Sequence, residues 1–321
     1  MKKQNLIWLS LLLCLPACSG NDGKTQVGVL QFGSFDALQQ ATDGFVETLN
    51  QSTVASKINI VKKNAIADSA NNSSMAATLA STCDLVYGVA TPSAKALKTS
   101  VDSQGSNIPV IFSAVTNPAG ADLVKNLEAP EGNCTGVIDL GPIADQLEAV
   151  CLFGNIAKVA SFFTVTEVNS VFQAEIAEDW LDEHNIAHSR ETITAASEIA
   201  SRFAAIPDDV DAVFLPTDDT IADKIGIVQS ANRARTKPLI VIGSDVGMIS
   251  GCTFAIGVDY YQCGVQAAKM VEKIVGENAK ISQIPVESCD LEKLTINRTE
   301  ADQLGIAIPA ALLNREGAVI I

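Results

Sequence analysis

The sequence predicts an α/β protein made of two Rossmann-like lobes, each with a parallel sheet covered by helices. Apolar runs of strand length alternate with amphipathic segments of helix length along the chain, which is the pattern of βαβ units. The predicted strands are apolar on both faces, as strands buried between two helix layers must be. There are about ten strand–helix units, more than one open sheet comfortably holds. Two sheets in two lobes therefore fit the chain best.

A (β/α)8 barrel is the alternative architecture, because it has a similar length and the same alternation of strands and helices. The chain has 321 residues, of which 47% are hydrophobic and 18% are charged. This composition supports a sizeable core and argues against wholesale disorder. The net charge of −15 makes nucleic acid a poor partner, because an acidic surface repels phosphate groups.

Residues 1–17 have the pattern of a lipoprotein signal peptide. Lys2 and Lys3 precede an apolar run at 6–15 that is too short to span a bilayer. Ala17, a small residue, comes directly before Cys18, which is expected to carry the lipid and hold the protein at the periplasmic or extracellular face of a membrane. Residues 18–26 are predicted to form a flexible tether. A plain secretory signal or an uncleaved short anchor is the alternative.

The first half of the chain contains five predicted strands, each an apolar run bounded by polar or turn-forming residues. They cover 27–32, 58–61, 85–89, 108–115 and 136–140. Helices are predicted between these strands where apolar residues recur at helical spacing. They cover 36–49, 69–80 and 92–100, and Pro92 suits the first turn of the last one.

The second half repeats this alternation. Its predicted strands cover 159–165, 212–215, 239–242, 254–258 and 294–297. Its predicted helices cover 142–152, 169–182, 197–204, 220–231, 260–275 and 299–304. Pro142 lies in the first turn of the first of these helices, where proline is well tolerated.

Polar or small residues follow most of the predicted strands, at the edge where open parallel sheets bind ligands. These turns are 31–34, 90–93, 113–117, 166–170, 217–220 and 244–245. A helix start offers unpaired N–H groups and a partial positive charge to a carboxylate. Three acidic residues are suited to an ammonium group, namely Asp218, Asp219 and Asp245. Four aromatic residues are suited to an apolar or cation–π contact, namely Phe32, Phe35, Tyr260 and Tyr261. Residues of these types also act as ordinary helix caps.

Motifs for catalysis, cofactors and metals are missing from the sequence. It has no phosphate-binding loop, dinucleotide fingerprint or nucleophile elbow, so no enzyme activity and no cofactor are expected. His184 and His188 are four residues apart, but Asn185 indicates a helix end there, so no metal site is predicted. Six further cysteines show no C-x-x-C spacing, and both disulfides of unknown pairing and buried free thiols stay open for them: Cys83, Cys134, Cys151, Cys252, Cys263 and Cys289.

Several of these turns belong to segments that resemble a known family. The segments are VGVLQF at 27–32, ATP at 90–92, PVIFSAVTNP at 109–118, LPTDDTI at 215–221, and GVDYY at 257–261 followed by Gly264. They resemble the substrate-binding proteins of tryptophan/tyrosine-type ABC importers. The resemblance runs from about 27 to 308, which is almost the whole chain after the tether.

The resemblance implies a type I periplasmic-binding fold, in which three hinge crossings join the lobes. The crossings are expected near 139–141, 257–259 and 289–293. One lobe would then comprise 27–138 with 259–290, and the other 140–257 with 292–321. The implied mechanism is closure of the hinge on a ligand, followed by docking on a membrane permease with its ATPase.

The resemblance also implies roles for individual residues. Ser113 and Thr116 would donate to a ligand carboxylate, together with the N–H groups near Thr91. Asn169 and Asp219 would face them from the other lobe, with Asp245 beside the ligand amine. Two departures from the family pattern bear on the ligand. Asn117 stands where the family often has aspartate, and the segment 166–168 has an unusual form.

Three functions remain open from the sequence. The first is a binding component for uptake of a small polar ligand, with an amino acid, aromatic ones included, as the main candidate. The second is an extracellular enzyme, which the missing catalytic motifs disfavour. The third is a ligand sensor that passes a closed conformation to a receptor, which the sequence cannot separate from the first.

Overall fold

The chain folds into two separate sheets with helices on both faces, and the computed structural model describes residues 23–130, 132–289 and 292–321. The predicted signal peptide, Cys18 and the first part of the predicted tether lie outside these residues. Within the described part, no helix combines the length and the apolar character needed to cross a membrane.

The strands and helices follow one another along nearly the whole described chain. In chain order, the strands are β1 (Thr25–Gln31), β2 (Ile58–Asn64), β3 (Leu85–Val89), β4 (Val110–Ser113), β5 (Cys134–Ile138), β6 (Lys158–Thr164), β7 (Ala187–Ile193), β8 (Ala212–Leu215), β9 (Ile240–Gly243), β10 (Phe254–Val258), β11 (Glu287–Ser288), β12 (Glu292–Ile296) and β13 (Val319–Ile320). The helices are α1 (Asp36–Gln51), α2 (Ser69–Thr82), α3 (Thr91–Ser103), α4 (Ile143–Cys151), α5 (Val168–Glu183), α6 (Ile199–Ala204), α7 (Asp219–Asp223), α8 (Ile225–Arg233), α9 (Tyr260–Glu277), α10 (Arg298–Leu304) and α11 (Ala310–Leu313).

The first sheet has the strand order β11-β5-β4-β3-β1-β2, and the second has the order β13-β12-β10-β9-β8-β6-β7. The chain passes between the sheets after β5, after β10 and after β11. The predicted fold class is therefore confirmed, and the barrel alternative is wrong. The residue bounds given above for the two lobes stay a prediction.

Helices cover both faces of the first sheet because its strands alternate apolar side chains between the two faces. On one face, Val27 and Val29 of β1 pack with residues of α1 and α9. There the rings of Phe45 and Tyr87 stack with centroids 3.8 Å apart. On the other face, Val86 and Phe112 pack with α2 and α3. This burial on both sides explains why the strands appear as continuous apolar runs in the sequence.

The second sheet is built in the same way. Phe162 of β6 and Val213 of β8 pack with α6 and α8 on one face. Val159 and Phe214, from the same two strands, pack with α4 and α5 on the opposite face. Each sheet thus has its own apolar core.

Three strands of the second sheet differ from the sequence prediction. β7 was not predicted, because this edge strand is mostly half exposed and lacks an apolar run. β12 was predicted, but it pairs with β10 in the antiparallel direction, whereas only parallel sheets were expected. β13 has two residues and pairs with β12, and so short a strand leaves no recognisable pattern in the sequence.

Two predicted elements are shorter than expected for local backbone reasons. The strand predicted at 108–115 ends at Ser113, because Ala114 adopts a φ of 54°, outside the extended region. The helix predicted at 220–231 is interrupted at Lys224, where φ is −122°. Gly226 follows this break, and glycine supports a continuous helix poorly.

The contact between α1 and α9 requires glycine on both helices. A Cβ atom at Gly44 would overlap with the carbonyl oxygen of Tyr261, and one at Gly264 would overlap with the carbonyl oxygen of Ala41. The two backbones therefore lie closer than any residue with a side chain would allow. This contact fixes the start of α9, which directly follows the second passage of the chain between the sheets.

We expect Gly264→Ala to lower the free energy of unfolding by about 1–3 kcal/mol, because the added methyl group must push the helices apart. The measurement is chemical or thermal unfolding followed by circular dichroism. Gly226→Ala is the control, since no atom lies within 4 Å of the added Cβ atom and alanine favours helix by roughly 1 kcal/mol. Equal stabilities of the two variants would contradict the proposed close contact.

Candidate ligand-binding site

One pocket lies between the two sheets, at the carboxyl ends of their strands. Its cavity volume is only about 30 Å3. The pocket is therefore narrow in this conformation. Its lining residues come from both sheets and from the passages between them: Phe35, Ala37, Leu38, Ala90, Thr91, Pro92, Ala114, Thr116, Asp139, Asn169, Thr217, Asp218, Asp219, Ala222, Asp245 and Tyr260.

The first sheet presents the N-terminus of α3 to this pocket. Ala90, which precedes the helix, has a φ of 80°, and Pro92 occupies the first turn. The amide of Asn72 donates to the carbonyl of Pro92 (3.0 Å), and the hydroxyl of Ser93 donates to Asn72 (2.8 Å). These bonds hold the first turn in place. The first N–H groups of a helix have no partner inside the helix, so this turn is suited to an anionic group.

Two alanines with left-handed backbone conformations lie side by side in the pocket wall. Ala90 follows β3 and Ala114 follows β4, and both have positive φ. The N–H group of Ala90 donates to the carbonyl of Ser113 (3.1 Å). Such a conformation costs a residue with a side chain roughly 1–3 kcal/mol. Here it turns the chain sharply at the end of each strand and brings the backbone to the pocket surface.

The opposite side of the pocket is acidic. Asp218, Asp219 and Asp245 come from the second sheet, and Asp139 comes from the first passage between the sheets. No lysine, arginine or histidine is among the described residues that line this pocket. A group that enters between these carboxylates therefore meets an environment suited to positive charge.

Asp218 has a structural role within this acidic group. Its carboxylate accepts hydrogen bonds from the N–H group of Thr164 (2.7 Å), the hydroxyl of Thr164 (3.0 Å) and the N–H group of Ile221 (2.9 Å). It thus caps α7 and ties it to the end of β6. Burial nonetheless raises the pKa of Asp218 above its usual value.

The carboxylate of Asp219 has no structural role of this kind and is available to a ligand. Asp219 is partly buried, and among the described residues no hydrogen bond reaches its carboxylate oxygens. Burial, and then the negative charges of Glu167 and Asp218, raise its pKa well above the usual value. An ammonium group beside Asp219 would relieve this repulsion.

Glu167 positions Asp219 from the neighbouring loop. Its carboxylate accepts from the N–H groups of Asp219 (2.8 Å) and Thr220 (3.0 Å) and from the hydroxyl of Thr220 (2.7 Å). Burial and the charge of Asp218 raise the pKa of Glu167 to about 7. Glu167 thus holds the first residues of α7, although the sequence marked it only as part of an unusual segment.

Asp139 lies where the chain leaves the first sheet. Its carboxylate accepts from the hydroxyls of Thr116 (2.9 Å) and Tyr260 (3.0 Å). Burial raises its pKa, and these two hydrogen bonds oppose the rise. The sequence placed Asp139 at a hinge crossing and missed it as a pocket residue. Its position directly after β5 was the signal that could have identified it.

Asp245 follows β9 and is only 6% exposed. Its carboxylate accepts from the N–H group of Gly247 (2.7 Å). Burial raises its pKa to about 6. Asn169, which also lines the pocket, donates from its amide to the carbonyl of Thr217 (2.8 Å). Both residues are therefore fixed by the backbone of the second sheet.

The structure brings five of the eight predicted ligand-binding residues to this pocket, namely Thr91, Thr116, Asn169, Asp219 and Asp245. Phe32 lines a wider opening beside it, which also contains Asp219. Asn117 lines an opening on the other side, which also contains Thr91 and Asn169. Their contacts with a ligand stay a prediction.

Ser113 is not among the residues that line the pocket. It is fully buried at the end of β4, and its hydroxyl is hydrogen-bonded to the hydroxyl of Tyr87. The hydroxyl of Thr116 donates to Asp139, so it would have to turn in order to donate to a ligand carboxylate. The roles predicted for Ser113 and Thr116 as carboxylate donors stay predictions.

Neither histidine takes part in a candidate metal site. His184 follows the end of α5 and contacts the carbonyl of Trp180 (2.8 Å), while His188 lies in β7 beside Asp182 (3.1 Å). They do not share a helix face. Among the described residues, no group of three or more possible metal ligands was found.

Comparisons with known proteins agree with this geometry. The model of the family described as ABC transporter substrate binding protein matches residues 26–320. A tyrosine-binding protein of Clostridioides difficile is 29% identical over 88% of this chain and 86% of its own length. The crystal structure of an ABC domain in complex with L-Trp, from Streptococcus pneumonia, is 31% identical and has a TM-score of 0.82 over 92% of this chain and 100% of its own. A conserved domain protein from Vibrio cholerae is 30% identical, with a TM-score of 0.83 over 92% and 99%.

We expect the ligand-free protein to become less stable as the pH rises from about 4 to about 7. A group whose pKa is raised by folding stabilises the folded state below its normal pKa, and this stability is lost as the pH rises through the folded value. For Asp245 and Glu167 these folded values are about 6 and about 7. The shift at Asp245 corresponds to roughly 3 kcal/mol.

The measurement is the thermal midpoint of the ligand-free protein across this pH range. Asp245→Asn should flatten the profile, because asparagine does not titrate. Glu277→Gln removes an exposed carboxylate of α9 and should leave the slope unchanged. A midpoint that rises steadily from about pH 4 to about pH 7 would contradict the pKa shifts of the acidic pocket.

Proposed function

Because the chain belongs to the family of ABC transporter substrate-binding proteins, we propose that it captures an amino acid between its two sheets and delivers it to a membrane permease driven by an ATPase. Members of this family bind substrates for transport rather than convert them, which removes the enzyme alternative. One observation carries the choice of ligand: a helix N-terminus and a group of carboxylates face each other in one narrow pocket.

The charges of this pocket match those of a zwitterion. The carboxylate of an amino acid would lie at the first turn of α3, where the N–H groups near Thr91 point outward. The ammonium group would lie beside Asp219 and Asp245, whose raised pKa values indicate a cost of unpaired negative charge. Asn169, which lies on the same side as these acids, would fix the orientation of the ligand.

Tryptophan and tyrosine are the first ligands to test. Two relatives support this choice. One is the tyrosine-binding protein, and the other is the ABC domain that was crystallised in complex with L-Trp. The pocket offers apolar surface from Phe35, Leu38 and Tyr260, and Phe32 extends it into the adjoining opening. An aromatic side chain could pack against these residues and gain stacking energy.

The narrowness of the pocket supports hinge closure as the binding mechanism. An amino acid cannot enter a cavity of about 30 Å3, so in the proposed mechanism the sheets separate first. The ligand stabilises the closed form only if it contacts both sides. The first turn of α3 and Asp219 meet this requirement, because they follow strands of different sheets.

The proposed site of action is the outer face of a membrane, where binding proteins of ABC importers work. The sequence LPAC at 15–18 supports a lipid on Cys18 as the anchor, with the residues that follow acting as a tether. The proposed partners are therefore the permease with its ATPase and the lipid bilayer. The acidic net charge argues against nucleic acid.

We expect L-tryptophan or L-tyrosine to raise the thermal midpoint, whereas tryptamine and indole-3-propionate should not. Tryptamine lacks the carboxylate and indole-3-propionate lacks the ammonium group, so each leaves one side of the pocket without its partner. Thermal shift identifies the ligand, and isothermal titration gives its affinity. If either analogue bound as tightly as the amino acid, the proposed pairing with both sides would be wrong.

Asp219→Asn should weaken binding of the amino acid by about 10- to 100-fold, which is the usual effect of losing a hydrogen bond to a charged group. Asp179→Asn removes an exposed carboxylate of α5 and should leave the affinity unchanged. Circular dichroism verifies that both variants fold. Unchanged affinity of Asp219→Asn would remove this residue from the site.

We also expect Cys18→Ala to release the protein from membranes, since a stable anchor requires the lipid. The measurement is fractionation of cells that express the full chain, followed by immunoblotting. Cys14→Ala, within the apolar run before the cleavage site, should remain with the membrane. Retention of the Cys18→Ala variant in the membrane fraction would indicate a different anchor.

A further inference from the structure

Two of the six described cysteines lie next to each other, at the end of the first sheet where the chain passes to the second. Cys263 lies in the first turns of α9, and Cys289 directly follows β11. Cys263 belongs to the buried core cluster between the first sheet and α9, and the partly buried Cys289 packs against this cluster, with its thiol beside that of Cys263. No contact with another cysteine is found for the other four: Cys83, Cys134, Cys151 and Cys252.

The backbone holds both cysteines from several sides. The carbonyl of Asp259 accepts from the thiol of Cys289 (3.3 Å) and from the N–H group of Cys263 (3.0 Å). The N–H group of Cys289 donates to the carbonyl of Ile138 (3.1 Å), which continues the pairing of β11 with β5. In addition, the amide of Gln266 donates to the carbonyl of Ser288 (3.0 Å). The fold itself therefore places the two cysteines side by side.

We propose that Cys263 and Cys289 form a disulfide bond in the mature protein. This bond would join the start of α9, just after the second passage between the sheets, to the end of β11, just before the third. The second and third passages of the chain between the sheets would then be linked covalently at the edge of the first sheet. The proposed export would place the two thiols in an oxidising compartment, where disulfides form and persist. Formation of the disulfide does not depend on which ligand the protein binds.

The reaction is a thiol–disulfide exchange with an external disulfide, from an oxidoreductase or a small molecule. Cys289 is partly exposed whereas Cys263 is fully buried, so the thiolate of Cys289 attacks first and forms a mixed disulfide. The thiolate of Cys263 then attacks the Cys289 sulfur and releases the second external thiol. Each cysteine loses one proton, the pair loses two electrons, and one external disulfide becomes two thiols.

The order of attack agrees with the surroundings of the two thiols. Hydrogen bonding to Cys289 and burial raise the pKa of Cys263, which makes it a poor first nucleophile. Once the mixed disulfide has formed, the target sulfur is already beside Cys263, and the second step is intramolecular.

The test uses the purified mature protein with glutathione disulfide as the oxidant. After oxidation and unfolding, alkylation with N-ethylmaleimide should show two thiols fewer per chain than in the reduced protein. Peptide mapping should find one linked pair, which contains Cys263 and Cys289. The thermal midpoint should rise by about 5 °C and fall again on reduction with dithiothreitol.

Two variants and one control make the test specific. Cys263→Ala and Cys289→Ser should each abolish both the loss of thiols and the rise in the midpoint. Cys151→Ser changes a partly buried cysteine elsewhere and should retain both effects. If Cys263→Ala fails to fold, Cys289→Ser still decides the question, because its side chain is partly exposed.

Full titration of the thiols after oxidation, or a linked pair of other cysteines, would overturn the proposal. A disulfide between two chains through Cys289 would overturn it as well. Amino acid binding is measured separately on the same samples. A protein that binds no amino acid can still form this disulfide, so failure of one proposal is distinguishable from failure of the other.

Discussion

The burial of several carboxylates side by side, with the repulsion that this adds between them, is the constraint on which the cleft depends. Asp139, Asp218, Asp219 and Asp245 line one narrow pocket in which no basic side chain is found among the described lining residues. The fold compensates with hydrogen bonds: Asp139 and Asp218 accept from hydroxyl and N–H groups, and Asp245 accepts from a loop N–H group. The energy stored in the remaining repulsion is what a cationic group recovers on entering.

The two sheets divide the recognition of the proposed ligand between them. The first sheet supplies a helix N-terminus and the second supplies most of the acidic side chains. Neither half would hold a zwitterion by itself, and the pocket exists only while both halves meet. In the proposed mechanism, opening of the cleft would both expose and dismantle the site, and would thereby couple release of the ligand to the conformation that a permease favours.

Sequence reasoning predicted most of the fold, because apolar runs and the ends of strands are local signals. It found Thr91, Asp219 and Asp245 by the rule that ligands bind beyond the carboxyl ends of parallel strands. It missed the function of Glu167, which acts on the backbone of Asp219 and Thr220 from a distant part of the chain. It could not tell that Ser113 lies inward against Tyr87, because one residue along a strand reverses the direction of a side chain.

The polar pattern that kept β7 from being predicted has a consequence for the protein in solution. β7 is the outer strand of the second sheet, and its middle residues are Ser189, Arg190 and Glu191. The guanidinium group of Arg190 is paired with Glu178 of α5 (2.6 Å). A neighbouring molecule that tried to extend the sheet would have to strip water from these charged groups. At high local concentration, such as that of a protein confined to a surface, this edge would resist self-association.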